Sequence, residues 1–142
     1  MIEIQELTSL EGWKEAFPVM QELRPRLDES AYLHLIQQMT QEGYRMFVLR
    51  ESGVIVSLAG IAILTNLYYD RHIWVYDLVT ASHTRSQGYG QQLLGFIEDL
   101  GKQAGCKLIA LSSGAKRTDA HRFYQQRMNY TQTSYVFQKE LT

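Results

Sequence analysis

Hydrophobic residues recur along the chain with two different periods. Segments that alternate apolar and polar residues are typical of half-buried strands, and segments with apolar residues three and four apart are typical of helices. These periods predict strands over residues 2–7, 44–51, 54–64, 73–80, 107–113 and 133–141, and helices over residues 9–23, 31–43, 88–105 and 118–128. The unbroken apolar run within residues 107–113 predicts a buried strand.

Capping and turn residues support several of these boundaries. Ser9 is the expected N-cap of the first helix, and either Thr118 or Asp119 is expected to cap the last one. Ser52-Gly53 has the composition of a tight hairpin turn between two strands. Residues 65–72 are predicted to form a loop.

The order of the elements predicts the fold class. Strands joined by short turns should pair antiparallel, whereas residues 73–80 reach residues 107–113 only through a helix and should pair with them in parallel. The expected architecture is therefore α/β, with a mixed, mostly antiparallel sheet and helices on both faces. A length of 142 residues suits a single domain, residues 1–142.

Composition excludes several classes of protein. Hydrophobic residues make up 45% of the chain, enough for a packed core, and the formal net charge of -1 gives no sign of nucleic-acid binding. The longest apolar run, residues 54–64, is too short to span a bilayer, and the N-terminus lacks the basic region of a signal peptide. A single cysteine, Cys106, excludes an internal disulfide and fits a reducing compartment. We therefore expect a soluble cytoplasmic protein with no membrane or nucleic-acid partner.

Metal binding is not indicated either. The chain has four histidines, and none has a carboxylate or thiol partner at the spacing of a metal site.

The stretch RSQGYG, residues 85–90, lies between a predicted strand and a predicted helix. Its glycines do not fit the dinucleotide fingerprint G-x-G-x-x-G, because Gly95 comes two residues late. They do not fit a Walker loop, because Phe96 follows Gly95 where a lysine belongs. Two interpretations remain: a helix start whose free N–H groups bind a pyrophosphate beside Gly88 and Gly90, or a tight turn that only permits close helix–sheet packing.

Two motifs together resemble a known family. R-x-x-G-x-G, after an apolar strand ending in DLVT and before an amphipathic helix, resembles the acetyl-coenzyme A signature of the GCN5-related N-acetyltransferases (GNATs). DAHRFY, residues 119–124, is similar to their second motif, in which a helix carries a tyrosine beside the coenzyme sulfur. The resemblance covers nearly the whole chain in element order. It implies the GNAT fold, in which one parallel strand pair splays apart, and acetyl-CoA as co-substrate.

The resemblance also implies roles for individual residues. The pyrophosphate would bind the backbone of the helix start with Arg85 assisting, and the pantetheine arm would lie along the preceding strand, where an N–H group polarises the thioester carbonyl. Tyr124 would protonate the leaving thiolate. The residues expected at the coenzyme are Leu78, Val79, Thr80, Arg85, Ser86, Gln87, Gly88, Tyr89, Gly90 and Gln91.

The amine acceptor must lose a proton before it attacks, because an alkylammonium has a pKa of about 10.4. Asp77 is the first candidate for the base, since alternation places it on one strand face with Val75 and Val79, an unusual position for a carboxylate without a partner. The alternative is a scaffold role, in which backbone N–H groups or an arginine satisfy the carboxylate. Tyr76 and His121 are weaker candidates.

One segment departs from the family pattern. Family members have F-Y-x-x-x-G-[FY] after the second motif, whereas FYQQRMNY, residues 123–130, is one residue longer and has Met128-Asn129 where the glycine belongs. Asparagine tolerates the left-handed conformation better than most residues, so Asn129 is expected to end the helix.

Two function classes fit this sequence. The first is an N-acetyltransferase that moves acetyl from acetyl-CoA to a primary amine of a small molecule or protein. The second is a domain of the same fold that binds acetyl-CoA without transferring it, as a sensor or interaction module.

The acceptor itself is not specified by a motif. Tyr68 and Tyr69, in a predicted loop, are candidates for a pocket wall. The apolar face of residues 133–141 could join a homodimer partner. Four acidic residues either attract a cationic amine or are ordinary solvated charges: Glu22, Asp28, Glu29 and Asp70.

Overall fold

The computed structural model describes all residues from Met1 to Thr142, which form two compact units, Met1–Leu111 and Ser112–Thr142. The first unit contains β1 (Ile2–Leu7), α1 (Leu10–Leu23), α2 (Glu29–Gln41), β2 (Arg45–Glu51), β3 (Val54–Asn66), β4 (Asp70–Thr80), α3 (Tyr89–Gln103) and β5 (Leu108–Leu111). The second contains the short helix α4 (Thr118–Arg122), which continues into a π-helical turn (Phe123–Arg127). None of the helices has the length and hydrophobicity needed to cross a lipid bilayer.

The five strands form one mixed sheet in the order β1-β2-β3-β4-β5. The first four strands pair antiparallel with their neighbours. β5 runs parallel to β4, from the pair His72–Leu108 to the pair Val75–Leu111. This confirms the predicted pairing, including the single parallel pair that follows the crossover through α3.

Tight turns join β2 to β3 and β3 to β4. Ser52 and Gly53 both have positive φ angles, 52° and 84°, and form the predicted hairpin turn. The loop predicted over residues 65–72 is shorter than expected, because β3 extends to Asn66 and β4 begins at Asp70. The Asn66 side chain accepts hydrogen bonds from the N–H groups of Tyr68 and Tyr69. This Asx-type turn leaves only three residues between the two strands.

Side-chain caps begin both N-terminal helices. Ser9 Oγ accepts the N–H of Gly12 at 3.2 Å, as predicted for the first helix. The Asp28 carboxylate accepts the N–H of Ala31 at 2.8 Å, so α2 begins at Glu29, two residues before the predicted start.

Helices cover both faces of the sheet, as predicted. Val48 of β2 packs in one buried cluster with Phe17 of α1 and Ile36 of α2. Its neighbour Phe47 points to the other face, where its ring lies 5.7 Å from that of Phe96 in α3. Because side chains alternate between the two faces of a strand, β2 contributes to the hydrophobic core on each side of the sheet.

The strand predicted over residues 107–113 is present as β5, but the prediction that it is buried is wrong. β5 has four residues, lies at the edge of the sheet and leaves Leu108 39% exposed. An unbroken apolar run does not distinguish a central strand from an edge strand, because both need hydrophobic contacts on at least one face.

Two expectations for the second unit are also wrong. Residues 131–142 form neither helix nor strand and are all exposed, so the strand predicted over residues 133–141 is absent. Alternation sets the faces of a strand, but a strand forms only where its backbone finds a pairing partner. At the start of α4 the N-cap position belongs to Arg117, without a side-chain cap, and not to Thr118 or Asp119.

Candidate functional site

The second half of β4 has one unpaired edge. Pairing with β5 ends at Val75, whereas pairing with β3 continues to the pair Ser57–Thr80. Just beyond the strand, the N–H of Ala81 donates to the carbonyl of Val56 at 2.8 Å. Because backbone groups alternate in direction along an antiparallel strand, the N–H groups of Leu78 and Thr80 point to the unpaired edge.

The chain then turns sharply into α3. A short 3₁₀ turn over Ser82–Thr84 is followed by two left-handed residues, Ser86 with φ 68° and Gly88 with φ 82°. Gly88 occupies the N-cap position of α3 and has no side chain to cap the helix. The first intrahelical bond is donated by Gln92, so the N–H groups of residues 89–91 have no acceptor within the helix. Together with the helix dipole, they make a site suited to an anion.

Arg85 lies in this turn, where its guanidinium is held by the protein. Its Nε donates to the Thr80 carbonyl at 3.3 Å, and its Nη2 lies 3.8 Å from a carboxylate oxygen of Glu22. The same Glu22 oxygen accepts the N–H of Ser82 at 2.9 Å. These contacts tie the glycine turn to the end of β4 and to α1.

A β-bulge precedes the unpaired edge. Gly60 pairs with Asp77 and Ile61 pairs with Val75, which leaves Tyr76 as the extra residue of β4. Asp77 shares a face with Val79, as expected, but the expectation that it also shares one with Val75 is wrong. The extra residue shifts the alternation, so Val75 lies on the α3 side and Asp77 on the side of α1 and α2.

Asp77 is 8% exposed and has two side-chain partners. Arg24, at the end of α1, donates from Nη2 to Asp77 Oδ1 at 2.9 Å and to the Tyr76 carbonyl at 3.0 Å. The Tyr44 hydroxyl donates to Asp77 Oδ2 at 2.7 Å. Burial, and then the Asp77 charge, raise the pKa of Tyr44 well above its ordinary value of 10.0. The arginine partner fits the scaffold role, and each carboxylate oxygen still has a free lone pair.

This network requires a residue without a side chain on the neighbouring strand. A Cβ on Gly60 would lie 1.8 Å from the Tyr44 hydroxyl and 2.6 Å from Asp77 Oδ2. Sequence reasoning missed Arg24, Tyr44 and Gly60. The available signal was a lone glycine inside an apolar strand, which often marks close approach by another group. The sequence does not identify that group, because Tyr44 and Arg24 reach Asp77 from 33 and 53 residues away in the chain.

A cavity of about 650 Å³ opens beside Asp77, between the end of α1 and α2. Its apolar lining includes Met20, Leu23, Leu27, Tyr32, Leu35 and Ile36. Tyr76, Asp77, Arg24 and Arg26 complete the polar part of the wall. Tyr68 and Tyr69 do not line it; they pack against each other in the turn between β3 and β4.

In the second unit, Tyr124 lies in the π-helical turn that follows α4. The N–H of Met128 donates to the Phe123 carbonyl, five residues back, at 3.1 Å. A π turn accommodates one extra residue in a helix, which accounts for the segment that is one residue longer than the family pattern. Asn129 then has φ 63°, and Tyr130 N–H donates to the Tyr124 carbonyl at 2.8 Å, so Asn129 ends the helix as predicted.

Tyr124 is buried, and burial raises its pKa above its ordinary value of 10.0, although the charge of Arg117 lowers it. Its ring packs with those of Phe123 and Tyr130, at centroid distances of 5.4 and 5.8 Å. His121 donates from Nε2 to the Gly114 carbonyl at 2.9 Å.

A mixed sheet with one parallel pair, which stops pairing before the glycine-led start of a helix, shares its fold with a solved aminoglycoside N-acetyltransferase. The chain belongs to the acetyltransferase (GNAT) family, whose model matches residues 8–130. The family resemblance and the fold class predicted from the sequence are thus confirmed.

Similar proteins agree with this assignment. The chain is 42% identical over 140 residues to the uncharacterized N-acetyltransferase YhdJ of Bacillus subtilis strain 168, covering 98% of this chain and 99% of that protein. It is 36% identical over 91 residues to an aminoalkylphosphonate N-acetyltransferase of Salmonella typhimurium, covering 63% of this chain and 58% of that protein. Its fold is similar to that of the aminoglycoside N-acetyltransferase AAC(6')-Iy in complex with CoA, with a TM-score of 0.85, 15% identity and coverage of 100% and 96%.

Proposed function

We propose that the protein is an N-acetyltransferase that moves acetyl from acetyl-CoA to a primary amine of a small molecule or protein, by direct transfer in a ternary complex. The observation that carries this proposal is the uncapped start of α3 beside the unpaired edge of β4, next to a cavity that contains Asp77. Family membership and a neighbour crystallised with CoA support it.

The residues expected at the coenzyme fit this role. The N–H groups of residues 87–91 bind the pyrophosphate, and Gly88 keeps their approach open because no atom lies within 4 Å of the position of its absent Cβ. Arg85 adds a positive charge at the same turn, and Ser86 completes it. Residues 78–80 hold the pantetheine arm through backbone hydrogen bonds on the unpaired edge. Acetyl-CoA, when bound, supplies an activated acetyl thioester.

The protein's remaining task is to move protons. The ammonium must lose two protons as nitrogen bonds to the acetyl carbon and the carbon–sulfur bond breaks, and the departing sulfur must gain one. We propose that Asp77 accepts the first proton from the ammonium in the cavity and passes it to water. Tyr124 donates a proton to sulfur and takes up the second proton of the amine, so that the phenol ends the cycle protonated.

Two measurements test this proposal. Acetyl-CoA at a hundredfold excess over its Kd should stabilise the fold by about 2.7 kcal/mol, measured as a rise in Tm. Thiol release in the presence of a panel of amines should then report transfer. Binding without thiol release from any amine would favour the alternative, a catalytically silent acetyl-CoA sensor, for which the arginine partner of Asp77 is the supporting observation.

Tyr124→Phe tests the acid directly. We expect kcat to fall by about a hundredfold or more, with the coenzyme Kd within twofold of wild type, because the lost group acts only on the leaving thiolate. Tyr130→Phe is the matched control, since Tyr130 packs on the same ring. Equal turnover in the Tyr124 and Tyr130 variants would remove Tyr124 from the reaction.

Asp77→Asn distinguishes a base from a scaffold. If Asp77 is the base, its loss should lower kcat at neutral pH. The variant should recover part of this kcat at alkaline pH, because more of the amine is already deprotonated there. A loss that is the same at every pH would assign Asp77 to positioning Arg24 and Tyr44.

The setting and assembly are also proposals. We propose that residues 1–142 act as one N-acetyltransferase domain in the cytoplasm. Residues 133–141 expose large apolar side chains, with Phe137 91% exposed, which supports pairing with a second copy in a homodimer. Sedimentation of the full chain and of a chain ending at residue 131 should give a dimer and a monomer; a monomer in both would refute the pairing.

A further inference from the structure

The cavity beside Asp77 also has a chemical selectivity, and this inference rests on the proposed function. Its volume of about 650 Å³ is ample for a small acceptor. Six of its twelve lining residues are leucine, isoleucine or methionine, and all of these but Leu27 belong to α1 or α2. An acceptor that fills it must therefore present apolar surface to this part of the wall, since polar groups placed there would lose water without gaining partners.

Acidic groups are scarce in this wall. Asp77 is the single carboxylate that lines the cavity, and Arg24 already pairs with it. Arg26 also lines the cavity, so the charged residues of the wall comprise two arginines and one aspartate. A single ammonium can share the Asp77 oxygens, but a second positive charge would meet an arginine and no free carboxylate.

The acidic residues nominated from the sequence do not change this balance. Asp28 caps α2 and Glu22 accepts the N–H of Ser82. Asp70 accepts the N–H of Arg71 at 2.7 Å in the turn before β4. None of these three residues, nor Glu29, lines the cavity.

We propose that the cavity takes a monoamine with an apolar body, of the arylalkyl or branched-alkyl class, and discriminates against amines with two or more positive charges. The charge of the wall excludes the second ammonium, and the leucines of α1 and α2 bind the body. The neighbour AAC(6')-Iy is named for aminoglycosides, which carry several amines, so the shared fold does not imply a shared acceptor.

The test compares 2-phenylethylamine with 1,4-diaminobutane on the full chain, by calorimetric binding to the CoA-bound protein and by thiol release from acetyl-CoA. We expect at least tenfold tighter binding and at least tenfold higher kcat/KM for the arylalkyl amine. Equal or tighter binding of the diamine overturns the selectivity. Selective binding without thiol release overturns the proposed acetyl transfer and leaves the selectivity supported.

Matched leucine variants locate the selectivity. Leu35 lines the cavity and is 44% exposed, whereas Leu10 begins α1, is 42% exposed and does not line it. Leu35→Asn should weaken phenylethylamine binding about tenfold while Leu10→Asn leaves it unchanged. Arg26→Glu should reduce the preference for phenylethylamine over the diamine at least fivefold. Unchanged binding in both the Leu35 and Arg26 variants would place the acceptor elsewhere.

Discussion

Gly60 shows how one missing side chain organises the proposed site. Its strand passes so close to the Tyr44–Asp77 hydrogen bond that any Cβ would overlap the tyrosine oxygen. The bulge at Tyr76 then directs Asp77 to the same point. A buried carboxylate is stable here only because Tyr44 and Arg24 each donate to it.

Gly60→Ala should separate Tyr44 from Asp77 and lower the free energy of unfolding by about 2 kcal/mol, within the range for overpacked cores. The measurement is urea unfolding, followed by thiol release. Gly95→Ala is the control: Gly95 lies inside α3 with no atom within 4 Å of a Cβ, so alanine should raise stability by about 0.5–1 kcal/mol. A free energy of unfolding that Gly60→Ala leaves unchanged or raises would contradict the close approach of Tyr44 and Asp77 to Gly60.

The limits of sequence reasoning at this scale have a physical cause. Asp77 was predictable as a candidate site residue because a carboxylate in an apolar strand needs a partner. The identity of that partner depends on a bulge and on contacts between residues far apart in the chain, and neither leaves a local pattern in one sequence. Asn129 was predictable because its left-handed conformation is a local preference.

At the scale of elements, the coenzyme site that we propose depends on the start of α3. Gly88 has φ 82° and open space around it, so its conformation, and not packing, demands glycine. An alanine there strains the turn that presents the free N–H groups of the helix.

Gly88→Ala should destabilise the fold by about 1–2 kcal/mol and weaken acetyl-CoA binding at least fivefold, measured by calorimetry. Gly43→Ala is matched to it, because Gly43 also has positive φ, 103°, and no atom within 4 Å of a Cβ. It should cost similar stability and leave the coenzyme Kd unchanged. If both variants bind the coenzyme equally well, the start of α3 is not the pyrophosphate site.

Elements with strong local signals were predictable. β1 and the helices α1 and α3 follow their periodicity closely, and the crossover through α3 forces the parallel pair. The strand expected over residues 133–141 fails because its pairing partner is not encoded in its own pattern. The π turn is visible in the sequence only as an extra residue relative to a family pattern, because i to i+5 hydrogen bonding has no sequence signature of its own.

For the whole molecule, buried phenols predict alkaline sensitivity. Burial raises the pKa of Tyr44 and of Tyr32 above 10.0 in the folded chain. Their contribution to stability is complete below pH 10 and is lost as the pH rises, because the unfolded chain then releases protons that the folded chain retains. The free energy of unfolding should fall by about 1.4 kcal/mol per pH unit for each such tyrosine above pH 10.

Urea unfolding between pH 8 and 11.5 measures this slope. Tyr44→Phe should reduce the slope by the contribution of one tyrosine. The variant also loses a hydrogen bond to Asp77, but it loses this bond at every pH. Tyr68→Phe is the control, since Tyr68 is 74% exposed and should leave the slope at its wild-type value. An identical slope in wild type and Tyr44→Phe would refute the assignment.

The central claim is that backbone N–H groups at the start of α3 and along the end of β4 bind acetyl-CoA. Hydrogen exchange with and without saturating acetyl-CoA, read by mass spectrometry on peptides spanning residues 76–94, tests it most directly. We predict slower exchange in these peptides and none of that protection in peptides from β1 (Ile2–Leu7). Unchanged exchange over residues 76–94 at saturating acetyl-CoA would contradict the account.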